Sequence, residues 1–327
     1  MNNVCIVGYG AIGPIHAKAL EKISEANLYA VCDIDRDKIK ICREDYDVIA
    51  YTDFDEMLKD KNIDSVHICT PHYLHYDMIT SAIQHGKKVI TEKPVVMTEN
   101  ELNKMLKFKD KNKVAIVFQN RLNTCVKKLK EIVDGKIYGN VVCVRGILTW
   151  NRDKKYYDSG AWRGKWDTEG GGVLINQAVH TLDLMGYLGG GISSLKANMM
   201  NYSLQDIIEV EDTFSAMLKL KNGGTGIFFA TNAYEADSKY DIEVVFENGT
   251  AHYVDDRLLL NGIEICHDIT VTGEKSYWGA GHEELIRNFY KYDTYFNIED
   301  AKNTMRALFC MYKSAQSDGK EIVVSDN

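Results

Sequence analysis

Short apolar runs alternate with amphipathic stretches over the first 120 residues. Runs at 4–7, 28–32, 65–69, 88–91 and 114–118 read as strands. The stretches between them, one ending at 20 and others at 36–44, 73–84 and 99–112, read as helices. That alternation predicts βαβ units and a parallel sheet. Beyond residue 121 the period changes. Apolar residues at 126, 129, 132 and 133 predict a helix over 126–133. A long strand at 140–150, a polar aromatic loop through 168 and a helix over 174–188 follow. From 193 to 265 the pattern is strand-rich and broken by KNGG (221–224), ENGT (247–250) and LNGI (260–263), all turn signals. Two helices, at about 282–295 and 300–317, come next.

The pattern therefore predicts an α/β protein of two domains, a doubly wound parallel sheet over 1–120 and a second α/β domain over 121–327. The second should carry a large, mostly antiparallel open sheet. Alternation at 213–220 and 226–231 leaves one sheet face for helices to cover and one bare. A bare face of that size is an expected subunit interface, giving a homodimer or homotetramer.

Composition narrows the function classes. Hydrophobic residues make up 45% and charged residues 26% of the 327, as in an ordinary globular enzyme. A net charge of −8 argues against nucleic acid or a membrane surface as partner. No apolar run approaches a membrane span, and the N-terminus enters a strand at once, so no signal peptide and a cytoplasmic location are expected. The eight cysteines include no C-x-x-C pair, and Cys5, Cys32, Cys69 and Cys143 fall inside apolar runs. They read as reduced core residues, with no disulfide and no metal site expected.

The first chemical signal is VCIVGYGAIG, residues 4–13. Gly8, Gly10 and Gly13 form G-x-G-x-x-G between a strand and a helix. The first allows the tight turn, the second admits a pyrophosphate to the backbone, and the third packs helix on strand. The helix N-terminus then faces phosphate. Asp33, ending LYAVCD, is placed to accept ribose hydroxyls and repel a 2′-phosphate, which favours NAD over NADP. Arg36 is the dissenting residue. Tyr9, Ala11 and Ile12 complete the loop. The domain therefore reads as a Rossmann dinucleotide-binding unit.

The second signal lies at the carboxyl ends of later strands, where open parallel sheets bind ligands. CTPHYLH (69–75) and TEKP (91–94) end two of them and carry two of the chain's three prolines. Thr70, Pro71, Glu92 and Lys93 should line one crevice with the glycine loop. His75 reads first as a structural hydrogen-bond former at that loop, and Gln119 ends the last strand. His16, three residues past Gly13, is a candidate for touching cofactor or the other domain. In the second half, Asn176, His180 and Asp183 share one face of the helix expected to begin at GGG, 170–172. A histidine there can take a hydroxyl proton as hydride leaves, and Lys93 can steady a developing alkoxide. Asp183 has either a ligand or a neighbouring loop as its partner.

GYGAIG, TPHYLH, GKKVITEKP and GGGVLINQAVHTLDL together resemble the Gfo/Idh/MocA oxidoreductase family, in order and over essentially the full chain. The resemblance implies a nicotinamide-binding Rossmann domain, a C-terminal substrate domain, and oxidation of sugars, cyclitols and related alcohols. It implies that Lys93 bonds the reacting oxygen and that His180 is the acid/base. It also makes the Lys93–Pro94 bond a candidate for the cis isomer. Asn176 stands where many inositol-type members carry aspartate, which weakens an inositol assignment. FQNRLN (118–123) and NRDKKYYDSGAWRG (151–164) are similar to the branch holding nucleotide-sugar 3-dehydrogenases of the UDP-N-acetylglucosaminuronate type. There Arg152, Tyr156, Trp162 and Arg163 suit an anionic or sugar-ring ligand. Two alternatives accompany this reading, a cofactor-binding regulator without enzymatic activity and an NAD-dependent glycosidase of the same family.

Overall fold

In the computed structural model, which describes residues 1–268 and 281–325, six parallel strands organise the first unit. They are β1 (Asn2–Val7), β2 (Ala26–Cys32), β3 (Ile49–Tyr51), β4 (Ser65–Ile68), β5 (Lys88–Thr91) and β6 (Val114–Ile116), in the order β3-β2-β1-β4-β5-β6. The order reverses between β1 and β4, which opens a crevice at their carboxyl ends. Helices cover both faces, so β1 and β4 are buried over nearly their whole length, as continuous apolar runs demand. The short edge strand β3 was not foreseen, because its residues are exposed or half-buried and no apolar run marks it. Helix Glu99–Leu106 is shorter than expected but firmly started. Thr98 and Glu101 form a reciprocal capping box worth about 1 kcal/mol.

The single cut expected after residue 120 needs correcting. Residues Gly281–Ala301 group with Met1–Gln119, while Asn120–Ala280 and Lys302–Asn327 form the second unit. Two interactions draw the late segment back. Helix Gly281–Arg287 packs against helix Gly13–Leu20, and Ile116 at the edge of the sheet donates its N–H to the Phe296 carbonyl at 2.7 Å.

The second unit is built on nine strands. These are β7 (Val141–Thr149), β8 (Ile192–Met200), β9 (Thr213–Leu220), β10 (Thr225–Thr231), β11 (Asp241–Phe246), β12 (Gly249–Val254), β13 (Arg257–Leu260), β14 (Ile263–His267) and β15 (Ile322–Val323). Their order is β14-β13-β12-β11-β7-β10-β9-β8-β15. Only the β7–β10 pair among the described strands is parallel; the rest are antiparallel. The three turn signals fall between β9 and β10, β11 and β12, and β13 and β14. Helix Val179–Gly189 packs across β7 and β11. It comes so close that a Cβ on Gly146 would stand 2.4 Å from the Met185 sulfur. On the core side Phe214, Ala216, Leu218, Phe228 and Ala230 are buried. On the opposite face Met217 and Ile227 pair across the strands and stay 72% and 52% exposed, so one side of the sheet is covered and the other is not.

Candidate functional site

The glycine loop shows what each glycine is for. Gly8 sits at φ +89°, and a Cβ there would stand 2.8 Å from the Cys69 carbonyl oxygen. A Cβ on Gly13 would stand 2.6 Å from the Gly8 oxygen. Both are required by the protein's own packing. Gly10 differs, since nothing lies within 4 Å of its missing Cβ. That open space fits a phosphate drawn against the backbone, so the loop suits a dinucleotide. Asp33 follows β2 at the same edge. Its Oδ2 accepts the Tyr9 N–H at 2.7 Å and its Oδ1 accepts the Asp35 N–H at 2.9 Å. Each oxygen keeps a second lone pair for a ribose hydroxyl. The Tyr9 ring is buried, so this residue contributes backbone to the loop.

The TEKP turn follows β5. Its Lys93–Pro94 bond is cis. Over residues 91–96 every side chain is buried except that of Lys93. Glu92 does not face a ligand as expected. Its Oε1 lies 3.2 Å from His16 Nε2 and 3.4 Å from His282 Nε2, and its Oε2 accepts the Lys93 backbone N–H at 3.3 Å. Burial alone would push this carboxyl up, but the hydrogen bonds from both histidines outweigh it and hold the group well below the carboxylate range. His16 is likewise spent inside the unit. It is fully buried, with Nδ1 3.0 Å from His67 Nδ1. His16, Glu92 and His282 are the one set of donors among the described residues grouped tightly enough for a small cation, all within 4.8 Å of one another. Each is already engaged in hydrogen bonding.

His75 acts as a clip between two loops. Its Nδ1 lies 2.7 Å from the Pro94 carbonyl and its Nε2 2.9 Å from the Thr70 carbonyl. Both partners accept, so both bonds are complete only in the imidazolium. Burial lowers the ring's pKa, the two carbonyls oppose it, and burial prevails. The clip ties the Thr70–Pro71 loop, half-exposed at the carboxyl end of β4, to the TEKP turn. Gln119 is buried where β6 gives way to the second unit.

In the second unit the stretch that carries the acid/base candidate is shaped by one carboxylate. Buried Glu211 accepts the N–H groups of Gly172 (2.9 Å) and Leu174 (3.1 Å) and the Tyr312 hydroxyl (2.9 Å). The Glu211 carbonyl accepts from Val173. The chain runs through turns here, with the Asn176 N–H on the Gly172 carbonyl and the Ala178 N–H on the Val173 carbonyl, and the helix expected over 174–188 starts at Val179. Asn176 consequently lies in the turn before it. The shared helical face holds for His180 and Asp183 but not for Asn176. Burial pushes Glu211 up to about 7, against the donors it faces.

Asp183 is corrected too. Arg121 grips it with two bonds, Nε–Oδ2 at 2.8 Å and Nη2–Oδ1 at 2.6 Å, and Thr304 donates to Oδ1 at 2.6 Å. All three are buried, so Asp183 anchors the helix and is not offered to substrate. His180, one turn earlier, is 8% exposed.

Asn176 and Gln177, in the turn before the helix, belong to a polar cluster. The Tyr156 hydroxyl oxygen receives Arg163 Nη1 (2.5 Å), Gln177 Nε2 (2.9 Å) and Asn176 Nδ2 (3.3 Å). Asn176 also donates to buried Glu169 at 2.5 Å, and Gln177 Oε1 accepts from Asn232 at 3.0 Å, which fixes how both amides point. Burial pushes the Tyr156 phenol up and the Arg163 guanidinium opposes it. Arg163 stacks on Tyr156 and Trp162 at 4.4 and 4.5 Å. Arg152 lies over Tyr156 at 5.0 Å and pairs with Asp237 at 2.9 Å. The sequence pointed to Asn176, Tyr156, Trp162 and both arginines. It did not point to Glu169, Gln177, Glu211, His67 or His282, of which only Gln177 lies inside one of the motifs.

Comparisons with known proteins bear on both units. Residues 2–120 match the model of an oxidoreductase family with an NAD-binding Rossmann fold, and residues 126–252 match the GFO/IDH/MocA C-terminal domain. The chain is 28% identical to myo-inositol 2-dehydrogenase of Thermotoga maritima over 252 residues, 75% of this chain and 72% of that protein. It is 27% identical to levoglucosan dehydrogenase of Pseudarthrobacter phenanthrenivorans over 219 residues, 59% of this chain and 56% of that protein. Among solved structures, the WlbA dehydrogenase of Chromobacterium violaceum, in complex with NADH and UDP-GlcNAcA, superposes with a TM-score of 0.85. It has 26% identity and covers 100% of this chain and 96% of its own. No helix among the described residues is long and apolar enough to cross a membrane. With the open Gly10 loop, the Asp33 carboxylate and both domain matches in hand, the chain belongs to the Gfo/Idh/MocA family of NAD-binding oxidoreductases.

Proposed function

We propose that the protein is an NAD-dependent dehydrogenase acting at a CH–OH carbon of a sugar, nucleotide sugar or cyclitol. The observation that carries the substrate class is the cluster on Tyr156. Three N–H donors converge on one phenol oxygen, which leaves its own O–H as the group free to meet an acceptor on a ligand. With Arg163 and Trp162 stacked beside it, the cluster has the donors and flat apolar faces that hydroxylated rings and carboxylates need. The WlbA relative, solved with a nucleotide-sugar acid, supports the anionic end of that range.

The cofactor, held by residues 8–13 and Asp33, supplies the hydride acceptor when bound. His180 takes the hydroxyl proton, and a base of this kind contributes about 10²–10⁴-fold to rate. Lys93 supplies an ammonium able to steady the negative charge that grows on a reacting oxygen. Asn176, held by Glu169, orients a substrate hydroxyl. Asp33 sets the preference for NAD over NADP. The exposed Met217–Ile227 face is the contact through which subunits pair as a homodimer or homotetramer in the cytoplasm. The decisive experiment is a panel of polyols, sugars and nucleotide-sugar uronates scored by net NADH formation. Turnover without net NADH would favour the glycosidase reading, and binding without turnover the regulator. Sedimentation of the protein as a monomer at micromolar concentration would remove the subunit contact.

A further inference from the structure

His67 is fully buried in β4 and has no part in the chemistry above, yet it sits in the middle of a continuous chain of contacts. Ser65 Oγ lies 2.7 Å from the Tyr290 hydroxyl, which lies 2.8 Å from His67 Nε2. His67 Nδ1 meets His16 Nδ1 at 3.0 Å, and His16 Nε2 meets Glu92 Oε1 at 3.2 Å. His282 reaches the same oxygen from its own helix. Tyr290 arrives on a π-helical turn, Asn288–Tyr292, a rare geometry that often marks functional positions.

Counting donors fixes the protons. A neutral imidazole has one N–H, and an ionised carboxylate only accepts. Glu92 is ionised, so His16 carries its proton on Nε2 and leaves Nδ1 bare. His67 must then donate from Nδ1, which leaves its Nε2 bare. Tyr290 donates to that nitrogen and takes the Ser65 proton on its oxygen. Every contact has one donor and one acceptor, all run toward Glu92, and neither histidine is charged. Burial, which lowers both rings, agrees with the neutral forms. A proton added to His16 would reverse the polarity, so that His67 donated to Tyr290. Facing Glu92 are His16 and His282, with His67, His75, Cys69 and the Lys93 ammonium beyond them.

We infer that Tyr290, His67 and His16 form a one-way hydrogen-bond chain that, together with His282, holds the Glu92 carboxylate and through it sets the position of Lys93. Glu92 is thus a positioning residue. It precedes Lys93 in the chain, accepts its N–H, and is itself fixed from two helices. The functional half of this inference rests on the role of Lys93 given above.

Two measurements test it. Nitrogen-15 spectra of the histidines in the full-length wild type should show His16 as the Nε2–H tautomer and His67 as the Nδ1–H tautomer, both neutral from about pH 6 to about pH 8. The same tautomer in both rings, or a cationic ring in that range, overturns the chain. Glu92→Gln should lower kcat by about 10²-fold, the cost of misplacing a reacting group, with the KM for NAD nearly unchanged. His282→Gln, which keeps an N–H for Glu92, should retain most of kcat, while His282→Leu should lose it. A fully active Glu92→Gln beside an inactive Lys93→Ala overturns the positioning role alone. A fully active Lys93→Ala instead removes the role of Lys93 and leaves the tautomer assignment standing. Should Glu92→Gln fail to fold, the His282 pair and the wild-type spectra still decide.

Discussion

Each unit buries a glutamate whose carboxylate bonds the backbone of the stretch that carries its candidate catalytic residue, and the two are kept in different ways. Glu92, next to Lys93 in the chain, faces two imidazoles that donate to it, and its carboxyl stays well below the usual range. Glu211, bonded to the 172–180 stretch, faces two backbone N–H groups and a tyrosine hydroxyl, and burial lifts it to about 7. Both have hydrogen-bond donors in plenty. The difference lies in the donors: two imidazole N–H groups more than offset the loss of water at Glu92, whereas two backbone N–H groups and a phenol do not offset it at Glu211. Asp183, gripped by Arg121, is a third case with a full counter-charge.

The comparison matters only if the stretches being braced do the chemistry, so the largest effects should come from their tips. Lys93→Ala and His180→Ala should each cut turnover by about 10²–10⁴-fold while leaving NAD affinity, read by fluorescence titration, nearly intact. Near-normal turnover in either would strip one brace of its purpose. Next comes the fully paired case. Asp183→Ala leaves the buried Arg121 without its carboxylate, which should cost about 3–5 kcal/mol in denaturant unfolding. A loss below about 1 kcal/mol, the level of an exposed pair, would mean the counter-charge is not what keeps Asp183 inside.

The Glu211 case has a sign that can be checked. Its folded pKa is raised from 4.5 to about 7, so the folded state binds this proton more tightly than the unfolded chain. Its contribution is fully present below 4.5, fades as pH rises, and is lost above about 7, a change of about 3 kcal/mol. Glu211→Gln should therefore remove that part of the slope when urea midpoints are compared at acidic and mildly alkaline pH. An unchanged slope would put Glu211 in the same class as Glu92. The smallest effect serves as the reference. Thr98→Ala, which breaks a cap remote from either glutamate, should cost about 1 kcal/mol at every pH.

The sequence announced the parallel sheet through its spacing of strands and helices, and the open sheet through alternation at 213–220 and 226–231. It announced Gly8, Gly10, Gly13, Asp33, Lys93 and His180 because their chemistry requires particular residue types at particular distances along the chain. It could not announce the partners of Glu92. His16, His67 and the pair His282 and Tyr290 come from three separate segments, and only tertiary folding gives them a common oxygen or a common chain. The misplaced start of the 174–188 helix has the same origin. Local apolar spacing favoured a helix from 174, but Leu174 is tied to a carboxylate 37 residues away and the chain turns several times before the helix begins at Val179.

The return of Gly281–Ala301 to the first unit also bears on how the chain is made. A ribosome releases residues 1–119 long before it releases His282 and Tyr290. Until then Glu92 lacks one of its histidines, His67 lacks its tyrosine, and the Ile116 N–H lacks the Phe296 carbonyl. The nascent N-terminal segment therefore carries a buried-site anion and an unfinished sheet edge through some 160 residues of further synthesis. A fragment cut at 120 should behave as an incomplete domain, because the dinucleotide fold is sealed only when the segment Gly281–Ala301 arrives.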